Sequence, residues 1–479
     1  MLSQATVSAI TLRIYRSAFR LLQPAADVRG LLKKASGTLI VALALSTPYG
    51  TAQTLHTFTD GTDGGYPFGG LAAGKNGVLY GTTEETVFQL TPPRSMGGAW
   101  TESTIYSFNF GFALASPSVG PHGELYGTTY FGGTEGVGTV YKLTPPASAG
   151  GTWTETTLYS FSIAVGDPQN PMGGVVIGKN GVLYGTVQFA GTSPACPFYP
   201  VSYGCGAVYS LTPPTVPGGN WTEETLYTFQ GGIDGAVLYA GVSMGNEGEL
   251  YGAAYMGGPG SQCAGTFYNP TPGFRPQSNA GCGTVFELDP PASAGGAWTE
   301  TTLYGFLGGS DGGFPNALLY KKGVLYGTVT FGGNQSYCGG VGCGGVFQLS
   351  PPAFRGGNWT EKVIYSFESI PDGLFPDAGL AIGEDGTLYG TTRDGGDSGS
   401  CPQNPGCGAV FQLTPAADSE GDWQEEILHT FTATDGWRPT SSVVVGNDGG
   451  LYGTTFFGGG TSANCPVGCG VVFKVNPKH

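Results

Sequence analysis

Beyond residue 52 the chain alternates short apolar runs with turn residues, and no stretch keeps the three-to-four-residue apolar spacing of a helix. One pattern is read seven times. It opens with a short, apolar, β-branched run such as Gly173-Gly174-Val175-Val176-Ile177-Gly178, which suits a buried inner strand. A tight turn follows (Lys75-Asn76-Gly77, Lys179-Asn180-Gly181, Asn246-Glu247-Gly248, Glu384-Asp385-Gly386) and supplies the positive φ of a two-residue hairpin. Leu-Tyr-Gly then starts a second strand at Leu79, Leu125, Leu183, Leu250, Leu325, Leu388 and Leu451. A Gly-rich loop of variable length leads to a third, alternating strand such as Gly138-Thr139-Val140-Tyr141-Lys142-Leu143, which Pro145-Pro146 stops. In the fourth, Trp153-Thr154-Glu155-Thr156-Thr157-Leu158-Tyr159-Ser160-Phe161, the period of two puts Trp153, Tyr159 and Phe161 on one face.

Four repeated strands without helical periodicity predict an all-β fold, a seven-bladed β-propeller of four-stranded blades. An open solenoid is the competitor, and the order of strands separates the two. Leu55-His56-Thr57-Phe58 copies the fourth strand yet comes first, and the last unit stops after its third strand, Val471-Val472-Phe473-Lys474-Val475. The early segment therefore completes the last blade and removes two open edges. The propeller is expected over 53–479. The 87 glycines and 34 prolines sit at defined turns between recurring Leu, Tyr, Phe and Trp, which marks a folded chain despite the composition.

Residues 1–52 are different. Six basic residues, from Arg13 to Lys34, precede the apolar run Leu39–Leu45 and then small residues ending Gly50-Thr51-Ala52, the order of a secretory signal peptide; an uncleaved anchor is the alternative. Removing this segment takes the formal net charge from −15 to −20. So acidic a surface excludes nucleic acid and anionic membranes as partners, and no later stretch reads as a membrane span. Ten cysteines fall as Cys196/Cys205, Cys263/Cys282, Cys338/Cys343, Cys401/Cys407 and Cys465/Cys469, each pair within one second-to-third-strand loop. Paired presence and absence predicts five local disulfides, rather than metal sites, in a secreted, extracellular or periplasmic protein.

The recurrent polar signal is an Asp between the fourth strand and the next inner strand: Asp63, Asp167, Asp234, Asp311, Asp372 and Asp435. A Pro follows four places on in all but the Asp234 copy, which has Leu238; repeat 2 has Ala113 at the equivalent place. Blade geometry puts this connection beside the channel, on the face of the cysteine loops. The acids read either as a carboxylate ring for a cation or sugar hydroxyls, or as Asx turns capping their own backbone. Nearby Tyr66, Phe314, Phe375 and Trp437 read as stacking platforms for a sugar or as covers for the blade core. His56 and His429 replace the fourth-strand Tyr and read as packed, which leaves no Ser-His-Asp, Cys-His or His-rich metal arrangement. The Glu of Trp-Thr-Glu, in five copies with Glu425 of Trp-Gln-Glu as a sixth, reads as part of the fold.

On Asn180-Gly181-Val182-Leu183-Tyr184-Gly185-Thr186, Gly138–Pro145 and Trp153–Phe161 the units resemble the Gloeo/Verruco (GloVer) tandem repeat of bacterial choice-of-anchor GloVer-containing proteins, over residues 54–477. The resemblance implies an exported bacterial protein and transfers no catalytic activity. The expectation is a secreted, non-enzymatic propeller binding a ligand or partner, an envelope or extracellular carbohydrate, on its disulfide-braced face. An extracellular hydrolase or lyase using two channel carboxylates is the alternative. No cofactor is implied beyond a cation that the acids could hold.

Overall fold

The computed structural model describes residues 52–477 apart from 96, 149, 197, 200–203, 264–274, 277–280, 294, 355–356, 369, 397–400, 402–405 and 417–421. The expected leader lies outside these residues except for Ala52. Seven four-stranded antiparallel sheets stand as blades in a ring, a seven-bladed β-propeller. Blade 1 is built from Leu71–Ala73, Leu79–Thr82, Thr86–Thr91 and Thr101–Ser107, from the channel outwards. Blades 2 to 6 repeat this order through 118–160, 176–228, 243–305, 313–366 and 381–430. In blade 5 the inner edge comes in two pieces, Gly313–Pro315 and Leu319–Lys321, both paired with Val324–Phe331. Blade 7 joins Val444–Val445, Leu451–Thr455 and Val471–Val475 to Gln53–Thr57, its outermost strand. Gln53 lies opposite Lys474 and Thr57 opposite Val471, so the ring closes as the order of strands predicts.

The repeated residues hold blade to blade. The Gly of Leu-Tyr-Gly lies opposite the third-strand aromatic, as in Gly81↔Phe88, Gly127↔Tyr141 and Gly390↔Phe411, and a Cβ there would overlap the ring. The fourth-strand Phe packs edge-on against the same aromatic of the next blade: Phe161–Tyr209 at 5.2 Å, Phe229–Phe286 at 4.9 Å, and across the closure Phe58–Phe88 at 5.1 Å. Trp153 reaches back to Tyr80 of the preceding blade at 5.8 Å, and Trp100 reaches Tyr452 at 5.7 Å. The Thr after Leu-Tyr-Gly donates its hydroxyl to a carbonyl just before the inner strand of the next blade, Thr186 to Ala240 at 2.7 Å and Thr454 to Gly69 at 3.0 Å. Ala253 stands at this place in blade 4 and has no hydroxyl to offer.

In Lys-Asn-Gly turns both central residues take positive φ, 57° and 75° at Asn76-Gly77 and again at Asn180-Gly181. In the Asn246-Glu247-Gly248 and Glu384-Asp385-Gly386 turns the glycine alone does so, at 105° and 93°. These differ from the expected pair because Glu and Asp can remain right-handed while Gly takes the one left-handed place.

Candidate functional site

All five cysteine pairs are disulfides, with Cα atoms 5.0, 5.3, 5.3, 5.5 and 5.3 Å apart, within the reach of the bond. They brace the loops into which the next blade's entry segment docks. The third residue after each Asp donates its N–H to the second cysteine's carbonyl: Tyr66 to Cys469 at 2.7 Å, Val237 to Cys205 at 2.8 Å, Phe314 to Cys282 at 2.7 Å, Phe375 to Cys343 at 2.9 Å, Arg438 to Cys407 at 2.9 Å. Where the preceding blade has no cysteine, Asn170 donates to Val137 at 2.8 Å. These donors all have positive φ, from 56° at Arg438 to 64° at Val237, unusual for residues with a side chain. The hydrogen bond helps hold that bend, and the bend directs the residue two places on toward the axis.

Five of the six expected acids are engaged by their own loops. Asp311 accepts the Leu307 N–H at 2.6 Å and the Tyr304 hydroxyl; Asp372 accepts the Glu368 N–H at 2.8 Å and the Tyr365 hydroxyl. Asp234 accepts Gln230 N–H at 2.7 Å and the Tyr227 hydroxyl at 3.1 Å. Asp63 and Asp435 accept the Thr59 and Thr432 N–H groups at 3.0 and 2.7 Å and face His56 and His429 at 3.3 and 3.0 Å. The two histidines thus fill the Tyr place in the motif. Asp167 donates its backbone N–H to Ala164 at 3.0 Å. Burial raises the Asp372 carboxyl; burial also acts on Asp435, but bonds from His429 and Thr432 bring it below the ordinary range. Among the described residues no three His, Cys, Asp or Glu side chains come together as a metal site.

The aromatics divide. Phe314 is buried against Tyr255 at 5.0 Å, and Tyr66 is buried against Phe456 at 5.6 Å. Phe375 and Trp437 instead lie beneath two guanidinium groups, Arg393 at 5.0 Å and Arg438 at 5.2 Å from the ring centres. Trp437 comes one position earlier in its loop than the other three.

On the axis is a cavity of about 480 Å³. Each blade contributes the residue at one fixed place in its entry segment, which in every blade but the second is two places after the bent donor: Phe68, Leu114, Met172, Tyr239, Asn316, Asp377 and Thr440, in blade order 1 to 7. Blades 1 to 3 make an apolar arc and blades 5 to 7 a polar one, with Tyr239 between them. Behind the polar arc Arg393 donates through Nη1 to Asp377 and through Nε to Asp394 at 3.0 Å. Arg438 Nε is 3.6 Å from Asp394, an ion pair rather than a hydrogen bond. Asn316 Nδ2 donates to the Pro376 carbonyl at 3.0 Å and to Thr330 at 3.2 Å. Burial pushes the Asp377 carboxyl up, against the pull of Arg393.

Sequence reasoning singled out the rim acids and missed this ring. The available signal was departure from the repeat: at one fixed offset each blade carries a different side chain, and Arg393 occupies a place where other blades have Tyr130, Gln188 or Phe456.

These features define a disulfide-braced, seven-bladed β-propeller with an axial cavity. Residues 84–274 match the Gloeobacter/Verrucomicrobia repeat. No curated protein matches the sequence. The fold is similar to the PQQ-bound aldose sugar dehydrogenase of Streptomyces coelicolor, at 12% identity and a TM-score of 0.41 over 76% of this chain and 97% of that one. The PQQ domain of pyranose dehydrogenase from Coprinopsis cinerea gives 12% and 0.42, over 89% and 95%. A putative gluconolactonase gives 14% and 0.36, over 89% and 92%. Likenesses of this size say nothing about chemistry.

Proposed function

We propose that the protein is an exported binding propeller that holds a carbohydrate in the axial cavity, at its disulfide-braced face, without turning it over. One observation carries the reading: at seven equivalent positions the side chains differ, and they sort into an apolar arc facing a polar one. A pyranose is divided the same way, with C–H faces and hydroxyl edges, and pockets that bind such rings pair apolar walls with a few placed polar groups. The shared residues of each unit are occupied in building blades, so recognition belongs to what varies on the fixed scaffold. Five disulfides support an oxidising compartment. No helix among the described residues is long and apolar enough to cross a membrane.

A glycan array with the purified protein tests the reading, together with an assay for new reducing ends. Retention of a defined glycan without new ends is expected. Tyr239→Ala should then weaken binding roughly three- to tenfold, the contribution of one aromatic contact. An array without retention would remove the carbohydrate assignment. Release of reducing ends would replace it with hydrolase chemistry.

A further inference from the structure

The polar arc has a selectivity of its own, and its meaning rests on the carbohydrate reading above. Arg393 is fully engaged: it bonds Asp377 and Asp394, covers Phe375, and its side chain is only 9% exposed. Asp377 and Arg438 are not. Their side chains are 21% and 19% exposed, and both line the cavity from neighbouring blades. Two atoms of this wall, Arg438 Nε and Thr440 Oγ1, are buried without a hydrogen-bond partner among the described residues, a condition native interiors rarely leave uncompensated, and beside them the Asp377 carboxylate has only Arg393 and the Thr330 side chain for its two oxygens. Two arginines face two aspartates here, so the wall is balanced in charge while presenting an acceptor beside a donor.

We propose that Asp377 and Arg438, with Thr440, hold adjacent hydroxyls of an uncharged sugar, and that the cavity selects against acidic sugars. A hydroxyl donates and accepts at once, so one can donate to the Asp377 carboxylate while its neighbour accepts from the Arg438 guanidinium. A sugar carboxylate can only accept. Placed here it can accept from Arg438 but has nothing to donate to Asp377, which it meets as a like charge in a partly desolvated site; the neutral diol satisfies both groups, and that difference is the discrimination. The apolar arc of Phe68, Leu114 and Met172 takes the ring's C–H face in the same pose.

The test is calorimetric titration of the intact disulfide-bonded protein with glucose, galactose and mannose, each against its own uronate. A neutral sugar that binds should do so about tenfold or more tightly than its uronate. Asp377→Asn keeps the shape and removes the charge. It should weaken the neutral sugar and shrink the discrimination to within about threefold, a change that a merely structural residue would not cause. Thr440→Val gives a second reading should Asp377→Asn lower the melting temperature: it should weaken the neutral sugar while leaving the discrimination in place. A uronate binding as tightly as its neutral partner, or discrimination unchanged in a folded Asp377→Asn, overturns the proposal and leaves the carbohydrate reading standing. Binding of none of these six sugars overturns the proposal, and the glycan array decides the carbohydrate reading separately.

Discussion

An Asp next to Gly in a loop can serve a ligand or its own backbone, and only the loop's path separates the two. At Asp311 the carboxylate ties the Leu307 N–H and the Tyr304 hydroxyl, so it ends the outer strand as a side-chain cap ends a helix. Asp311→Ala should cost about 1–2 kcal/mol in urea unfolding, the range for a lost cap with its charged hydrogen bonds; a loss within error would show the cap to be idle. Gly390→Ala should cost about 1–3 kcal/mol by the same measurement, because its methyl group would meet the Phe411 ring. The acids were legible because one letter recurs at one offset. Asn316, Asp377 and Thr440 were hidden because their direction depends on left-handed backbone at Phe314, Phe375 and Arg438, residue types that do not advertise positive φ. Repeat-based reading favours what copies share, and here the cavity is lined by what they do not.

Between blades, five seams bring carboxyl groups together. Burial pushes Glu361 up to about 7, with Asp311 adding to it. Glu425 is pushed up to about 8 by burial, then by Asp372 and Glu426, against a hydrogen bond from Tyr365. Glu102, Glu223 and Glu300 are raised as well, burial being the largest cause. A raised folded-state value means the folded chain keeps a proton that the unfolded chain has released. The linked stability is complete below the unfolded value near 4.5 and is lost as pH rises through about 7 and about 8. The melting temperature should therefore fall between about pH 5.5 and 8.5, and Glu361→Gln with Glu425→Gln should flatten that slope. A wild-type profile already flat over this window would contradict the seam assignment. Asp435 works in the opposite sense: its lowered value adds stability above the ordinary carboxyl range that is lost in stronger acid. Strand order and blade number could be read from alternation and turn residues, since each rests on local chemistry. The seams could not, because they join side chains from units far apart in the chain.

For the whole molecule, closure and the disulfides act at different places. Removing residues 53–58 should leave Val471–Val475 as an open edge and take Phe58 from between its neighbours, giving self-association on size exclusion and a broadened unfolding transition. Reducing the five disulfides should affect the proposed sugar binding before it opens the ring, because the bridges brace the loops against which the entry segments dock rather than the blade cores. The offset strand was legible as soon as Leu55-His56-Thr57-Phe58 matched the fourth strand of every other unit. It also sets a timetable. Gln53–Thr57 is synthesised ahead of all its partners yet can dock only when Val471–Val475 exists, and the neighbouring contact from Thr454 to Gly69 spans 385 residues. Such distant encounters are slow and leave sticky intermediates waiting. A rearranged gene in which all four strands of blade 7 run consecutively should therefore reach the native state sooner, and with less loss to aggregation, than the natural order.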